Sequence, residues 1–266
     1  MRFGINVWSY PKTLPLEEAM AHAAAAGYEA FEVAVALEDW EHWGSPDWRR
    51  KWETVGERAK GLGLSIPSVA TGLFWRFNLV TQPEDALKVV RIECEVAKLL
   101  GAELILVVPG TGVPDLSYEE HIRRAAEALR EAAKLAREHG VRIGLENVWN
   151  RILAGPLEFE RLLEEVGDEH VGAYFDVGNT LPHSLPEHWI GVLGERILQV
   201  HVKDYNVAEG TFGIPLTGDV NWPAVRRALE EVGYEGYVLP EVPPYPGDPH
   251  QAAEDARNAL RKVFGR

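Results

Sequence analysis

The chain has 266 residues, 46% of them hydrophobic and 26% charged, a composition typical of a folded globular protein with a sizeable core. Its 27 basic and 41 acidic residues give a net charge of −14, which disfavours a nucleic-acid partner. The single cysteine excludes an internal disulfide framework, and no apolar stretch reaches the roughly 20 residues that span a bilayer. We therefore expect a cytoplasmic protein with no membrane partner.

Eight short apolar runs alternate with amphipathic helical patterns along the chain. The runs predict strands at residues 3–8, 30–35, 64–70, 104–108, 142–146, 172–177, 197–202 and 237–242. The amphipathic patterns predict helices at residues 15–26, 47–61, 83–100, 118–139, 156–166, 186–193, 222–232 and 249–264. Glycines such as Gly101 and Gly140 follow these helices, and prolines such as Pro83 and Pro186 begin them, as helix ends prefer.

The order of these elements indicates the fold. Eight near-continuous apolar strands, each followed by a helix, indicate a parallel sheet that is covered on both faces. An open doubly wound sheet would normally carry a glycine-rich phosphate-binding turn after its first strand, but residues 9–12 here are Ser-Tyr-Pro-Lys. We therefore predict an α/β chain that folds as a (β/α)₈ TIM barrel, with residues 1–266 forming a single domain.

Ionisable side chains lie at the ends of the last four predicted strands: Glu146, Asp176, His201 and Glu241. They are about 25 to 40 residues apart, close to one strand–helix unit each, so all four should project into the same mouth of the barrel. Three carboxylates would repel one another there unless a cation lay between them. We predict one divalent metal ion, with Mn²⁺ as the first choice and Mg²⁺, Co²⁺ or Zn²⁺ as alternatives.

Five short motifs accompany these residues: GLENV at 144–148, YFDVGN at 174–179, ERILQVHVKD at 195–204, GDVNW at 218–222 and LPEV at 239–242. In this order and spacing the chain resembles the xylose isomerase-like TIM-barrel superfamily. That superfamily includes sugar-phosphate isomerases and epimerases, ketose 3-epimerases, inosose dehydratases and endonuclease IV. The resemblance covers nearly the whole chain. It implies that Glu146, Asp176, His201 and Glu241 are the metal ligands, and that Glu146 and Glu241 are the catalytic acid/base pair.

The chemistry implied is proton transfer next to a carbonyl group. A metal ion bridging the carbonyl and hydroxyl oxygens would stabilise the enediolate, while one glutamate removes a proton and the other returns it. The function predicted is a sugar or sugar-phosphate isomerase or epimerase, with a small-molecule substrate. An inosose-dehydratase-like lyase is the alternative, and a metal-containing binding protein stays open. An endonuclease IV-like enzyme would need a multi-metal cluster with further histidines at the ends of the second, third and sixth strands, and residues 34–35 and 70–71 at the second and third strand ends include none.

Residues near the same strand ends are candidates for binding the substrate: Asn6, Trp8, Asn147, Asn179 and Lys203. The asparagines suit hydroxyl groups, and the tryptophan suits the face of a sugar ring. Lys203 suits either an anionic substrate group or an ion pair with Asp204 or Glu241. Asn179 occupies the position where ketose 3-epimerases commonly have a histidine, which disfavours a free-ketose 3-epimerase.

Two groups of tryptophans complete the sequence-based interpretation. Trp75 and Trp149, like Trp8, follow predicted strands and suit either the wall of a pocket at the mouth of the barrel or the packed core of a loop. A second group follows the second strand: Trp40, Trp43, Trp48 and Trp52. We expect this second group to be an exposed lid or subunit interface, which predicts a homodimer or homotetramer.

Overall fold

A computed structural model describes residues 1–265, and within them it shows ten strands and ten α-helices. The strands are β1 Arg2–Asn6, β2 Ala30–Val35, β3 Ser68–Thr71, β4 Leu104–Val107, β5 Arg142–Glu146, β6 Val171–Asp176, β7 Ile197–Val202, β8 Asp204–Asn206, β9 Thr211–Gly213 and β10 Tyr237–Pro240. The helices are α1 Leu16–Ala25, α2 Leu37–His42, α3 Pro46–Gly61, α4 Pro83–Leu100, α5 Tyr118–Glu138, α6 Pro156–Val166, α7 Val177–Thr180, α8 Pro186–Leu193, α9 Trp222–Glu231 and α10 Gln251–Phe264.

Eight of these strands form a closed barrel in the order β1-β10-β7-β6-β5-β4-β3-β2. Every neighbouring pair in this ring is parallel. The predicted (β/α)₈ TIM barrel is therefore confirmed, and closure of the sheet excludes the open doubly wound alternative. Because all eight strands run the same way, their carboxyl ends meet at one mouth.

Strands β1, β3, β4 and β10 are shorter in the structure than predicted, and local chemistry explains the differences at β1 and β3. Strand β1 ends at Asn6, because the Asn6 side chain accepts a hydrogen bond from the backbone N–H of Trp8 at 2.6 Å and begins a short 3₁₀ turn. Strand β3 begins only at Ser68, directly after Pro67, which has no N–H for the ladder. Between residues 64 and 67 the pairing is a single bridge from Ser65 to Ala30.

Three elements were not predicted: the short helices α2 and α7, and the hairpin of β8 and β9. Helix α7 begins at the end of β6, where Asp176 accepts a hydrogen bond from the backbone N–H of Asn179 at 2.9 Å. The hairpin follows β7 directly, and its strands pair antiparallel outside the barrel. Such short segments carry too little hydrophobic periodicity to be recognised in a sequence. Across residues 1–265, no helix combines the length and apolar character needed to cross a membrane.

The expectation of an exposed tryptophan cluster after the second strand is wrong. Trp48 and Trp52 are buried, because they lie one turn apart on the face of α3 that packs into the core. Trp40 stacks on Phe77 with ring centroids 4.9 Å apart, and Trp43 is also packed against the core. The cluster therefore gives no support to the predicted homodimer or homotetramer, which stays a prediction.

Candidate functional site

The structure brings Glu146, Asp176, His201 and Glu241 together at the carboxyl mouth of the barrel. One potential ligand atom from each lies within 4.8 Å of the others. Asp176 and His201 are direct neighbours across β6 and β7, and Glu146 ends β5. Glu241 follows β10, and its backbone N–H still donates to the carbonyl of Val202 on β7 at 3.1 Å. Pairing of the parallel strands thus fixes the backbone positions of all four residues at the mouth of the barrel.

The donor set of this cluster fits a divalent cation. Nδ1 of His201 is buried and has no hydrogen-bond partner within residues 1–265. It lies 3.7 Å from Oε1 of Glu146 and 3.8 Å from Oε2 of Glu241. Three carboxylates and one imidazole nitrogen that converge in this way match the ligands of hard to borderline metals such as Mn²⁺ or Zn²⁺.

The electrostatics of the cluster point the same way. Burial raises the pKa of Glu146 to about 7; contact with His201 opposes that rise, and the charge of Glu241 adds to it. Burial also raises the pKa of Asp176, although the charge of Lys203 opposes it. Burial works against ionisation of Glu241 too, but the charge and hydrogen bond of Lys203 together with the charge of His201 lower the pKa of that carboxyl. Two buried carboxylates and one half-buried carboxylate thus converge beside Lys203 and His201, and a cation among them would offset the repulsion between the three acids.

Lys203 lies against the cluster rather than apart from it. Its Nζ donates to Oδ2 of Asp176 at 2.7 Å and also to Glu241, and it lies 5.1 Å from the ring centroid of Phe212. Gly178 on α7 makes this position possible, because a Cβ there would lie 2.6 Å from Cγ of Lys203 and 2.7 Å from its carbonyl oxygen. Of the partners considered from the sequence, the ion pair with Glu241 is thus present.

A cavity of about 380 Å³ opens above the cluster. Its lining combines ionisable, polar and aromatic side chains: Trp8, Thr71, Trp75, Glu146, Val148, Trp149, Asn179, Lys203, Phe212 and Glu241. Trp149 stacks on Phe212 with ring centroids 5.0 Å apart, and its Nε1–H donates to the carbonyl of Asn179 at 2.9 Å. Trp75 stands at the rim and is 53% exposed. Aromatic faces beside carboxylates suit a small polar ligand with C–H surfaces.

The three candidate asparagines have different environments. The side chain of Asn147 accepts from the backbone N–H of Asp176 at 2.7 Å and donates to its carbonyl at 2.8 Å, so it ties β5 to β6. Asn179 lines the cavity, and its Nδ2 donates to the carbonyl of Asn147 at 3.0 Å. Asn6 is fully buried beneath the cavity and donates to Glu32. Asn179 is thus the asparagine placed among the cavity-lining residues.

The roles of two acidic residues near this site were not predicted from the sequence. Glu32, on β2, contacts Nε2 of His201 at 2.6 Å from inside the barrel. Although burial opposes it, the charge of His201 lowers the pKa of Glu32. Asp204 accepts hydrogen bonds from the backbone N–H of Leu216 and from Nε1 of Trp222, each at 2.8 Å. These bonds hold the segment that follows the β8–β9 hairpin, and Phe212 lies on that hairpin. The signal for Glu32 was an acid in the middle of an otherwise apolar strand, AFEVAV.

Comparison with known proteins agrees with this architecture. An inosose dehydratase from Clostridium beijerinckii is 24% identical over 284 aligned positions, which cover 94% of this chain and 90% of that protein. A solved L-ribulose 3-epimerase matches with a TM-score of 0.82 at 17% identity, over 99% of this chain and 94% of that one. The IolI protein with a bound zinc atom matches with a TM-score of 0.84 at 18% identity, over 99% and 98% of the two chains. At these identities the two structures show a shared fold.

The family model described as xylose isomerase-like TIM barrel matches residues 20–263. That range includes seven of the eight barrel strands and all four residues of the ionisable cluster. The match therefore extends over most of the barrel and its mouth. This chain belongs to the xylose isomerase-like TIM barrel family.

Proposed function

We propose that this protein is a metal-dependent isomerase or epimerase that moves a proton on a small sugar or sugar phosphate. The observation that carries the proposal is the placement of Glu146 and Glu241, which line one cavity and lie within 4.8 Å of Asp176 and His201. The names of an inosose dehydratase relative and an L-ribulose 3-epimerase neighbour support a polyol or sugar substrate.

One divalent ion would be held by Glu146, Asp176, His201 and Glu241, the four residues whose donor atoms converge. Mn²⁺ is our first choice, and the zinc atom bound by the IolI protein supports a divalent ion in this fold. Such an ion, when bound, supplies positive charge that stabilises a negative oxygen next to an acidic carbon.

The acid/base work belongs to Glu146 and Glu241. Strands β6 and β7 lie between β5 and β10 in the barrel, so the two carboxyl groups reach the cavity from different strands around its mouth. One of them takes a proton from the carbon next to the substrate carbonyl, and the other delivers a proton, which inverts that carbon or moves the carbonyl.

The remaining lining residues position the substrate. Lys203 uses two donors on Asp176 and Glu241, and its ammonium has a third donor for a substrate oxygen. Asn179 offers its amide at the cavity wall, whereas Trp8 and Trp149 offer aromatic faces to C–H groups and exclude water.

A lyase acting on a polyol ketone is the second candidate, because the inosose dehydratase relative aligns with 94% of this chain. In that reaction the same pair would remove a proton from carbon and protonate a hydroxyl that leaves from the next carbon. The two reactions differ in product, since the lyase releases water.

The test is solvent exchange in D₂O with the Mn²⁺-loaded protein and a panel of ketoses, aldoses, their phosphates and inososes. We expect NMR to show deuterium incorporated at the carbon next to the carbonyl. Glu146→Gln and Glu241→Gln should no longer incorporate it. Glu57→Gln, on the exposed side of α3, is the matched control and should behave as the parent. Loss of water with a new ultraviolet absorbance would favour the lyase. If the metal-loaded protein exchanges deuterium into no compound of the panel, the result would contradict the proposed enzyme and favour the metal-containing binding protein.

A further inference from the structure

A buried carboxylate lies directly behind the candidate metal cluster, inside the barrel. Glu32 on β2 is fully buried, and its Oε2 contacts Nε2 of His201 at 2.6 Å. We propose that Glu32 is a positioning residue that orients His201 and keeps the proton of its ring on Nε2, so that Nδ1 faces the metal. This inference rests on the proposed function, in which His201 is a metal ligand.

Glu32 is surrounded by hydrogen-bond donors from four other barrel strands. Its Oε1 accepts from the hydroxyl of Ser68 at 2.6 Å and from the hydroxyl of Tyr174. Its Oε2 accepts from Nδ2 of Asn6 and contacts His201. All four of these partners are fully buried. Two contacts on each oxygen fill the acceptor capacity of one ionised carboxylate.

The orientation of Asn6 determines what His201 must do. The backbone N–H of Trp8 donates to Oδ1 of Asn6 at 2.6 Å, which directs the Nδ2 amide of Asn6 at Glu32. Oε2 of Glu32 must therefore be a hydrogen-bond acceptor, and Nε2 of His201 contacts this same oxygen. A carboxylate acceptor at 2.6 Å requires a hydrogen on Nε2 of the imidazole. In the neutral ring, that hydrogen leaves the lone pair on Nδ1.

Nδ1 is the ring atom that faces the cluster. It is buried, has no hydrogen-bond partner within residues 1–265, and lies 3.7 Å and 3.8 Å from the nearest oxygens of Glu146 and Glu241. A metal-binding histidine commonly donates its other ring N–H to a carboxylate, which fixes the tautomer and the ring orientation. Glu32 is placed to do this from the side of His201 opposite to the cavity.

The decisive comparison pairs two buried glutamates given the same substitution. Glu32→Leu removes the acceptor behind His201, and we expect Zn²⁺ affinity, measured by competition with a chromophoric chelator, to fall by about 10- to 100-fold. Glu93→Leu is the matched control, since Glu93 is equally buried but has no hydrogen-bond partner within residues 1–265. We expect its Zn²⁺ affinity to match the parent. Equal affinity in all three proteins overturns the proposal.

A second measurement reads the tautomer directly and needs no metal. ¹⁵N NMR of histidine-labelled, metal-free protein, recorded at a pH high enough for a neutral His201 ring and with the His201 signals assigned from His201→Asn, should show hydrogen on Nε2 and none on Nδ1 in the parent. Glu32→Gln should keep this tautomer, because its amide oxygen can face Asn6 and His201 while its NH₂ meets the hydroxyls of Ser68 and Tyr174. Glu32→Leu should lose the preference.

The two measurements distinguish failure of the positioning role of Glu32 from failure of the proposed metal-dependent function. In the neutral ring, hydrogen on Nδ1 instead of Nε2 of His201, in the parent or in Glu32→Gln, overturns the positioning role, and this decides the matter even where Glu32→Leu does not fold. A parent with hydrogen on Nε2 that binds no Zn²⁺ or Mn²⁺ overturns the proposed metal-dependent function while supporting the hydrogen-bond assignment. A parent that binds Zn²⁺ more tightly than Glu32→Leu, with Glu93→Leu unchanged, supports both.

Discussion

Two glutamates of this protein are equally inaccessible to solvent and have opposite surroundings. Glu32 and Glu93 both have 0% relative exposure. Glu32 has contacts from Asn6, Ser68, Tyr174 and His201, whereas neither oxygen of Glu93 has a hydrogen-bond partner within residues 1–265. Although burial opposes it, His201 lowers the pKa of Glu32, whereas burial, with the charge of Glu32 added, raises the pKa of Glu93 far above its ordinary value. Partners, rather than burial, thus decide whether a buried acid is charged.

The location of each residue explains the difference. Glu32 points into the barrel, where side chains from several strands meet and can supply donors. Glu93 lies on α4, which packs against β3 and β4 among apolar side chains such as Val89, Val90 and Val96. A layer built from such side chains offers nothing to an ionised carboxylate. Glu32, inside the barrel, therefore contacts a residue of the candidate site, whereas Glu93, in the outer helical layer, has no such contact.

The largest expected effect is on catalysis and concerns Glu241, which lines the cavity. We expect Glu241→Gln to lower turnover of the substrate found in the exchange screen by about 100- to 10,000-fold, because an amide cannot transfer the proton. The circular dichroism spectrum should stay that of the parent, since the fold does not depend on this charge. Turnover within a few-fold of the parent would show that Glu241 is not part of the acid/base pair.

The next effect concerns the carboxylate with four contacts. We expect Glu32→Leu to lower the free energy of unfolding by about 3–5 kcal/mol, because the partners of a buried charge lose their acceptor together. Urea unfolding at pH 7, followed by fluorescence, measures the loss. A variant as stable as the parent would mean that the network around Glu32 contributes nothing to the folded state.

The acid without partners should respond in the opposite direction. We expect Glu93→Leu to raise the free energy of unfolding at pH 8 by about 1–3 kcal/mol, since a buried polar group with no hydrogen bond is removed. The same urea titration measures the gain. A loss of stability of that size would indicate that Glu93 is satisfied in solution.

The pH dependence of that gain has a definite sign. In the folded protein the pKa of Glu93 lies well above 4.5, so the carboxyl keeps its proton over a range where the unfolded chain loses it. The folded state then binds more protons than the unfolded state, and raising the pH above about 4.5 destabilises the parent. The advantage of Glu93→Leu should therefore widen from pH 4 to pH 8, and a constant difference would contradict the raised pKa.

The smallest effect belongs to the rim of the cavity, outside the polar network. Trp75 is 53% exposed, so we expect Trp75→Ala to change the free energy of unfolding by no more than about 0.5 kcal/mol. If its ring covers the substrate, KM should rise by less than about tenfold while kcat stays close to the parent value. A collapse of kcat instead would place Trp75 at the reacting atoms.

Several helices and strands were predictable to the residue. The predicted helix at residues 83–100 coincides with α4, and the predicted strand at 142–146 coincides with β5. Hydrophobic periodicity and the residues at helix ends are local properties of the chain, and these elements follow them. The convergence of Glu146 and Glu241 was predictable for a related reason, because repeated strand–helix units place successive strand ends at one mouth.

The sequence by itself therefore determined the barrel and the four ionisable residues that meet at its mouth. Only the tertiary structure decided what surrounds them: Lys203 against two of the carboxylates, Phe212 over the cavity, and Glu32 behind His201. The physical reason is distance along the chain, since Glu32 and His201 are 169 residues apart. Which side chain becomes the partner of another across a closed barrel depends on strand register and side-chain direction, and neither is written in local periodicity.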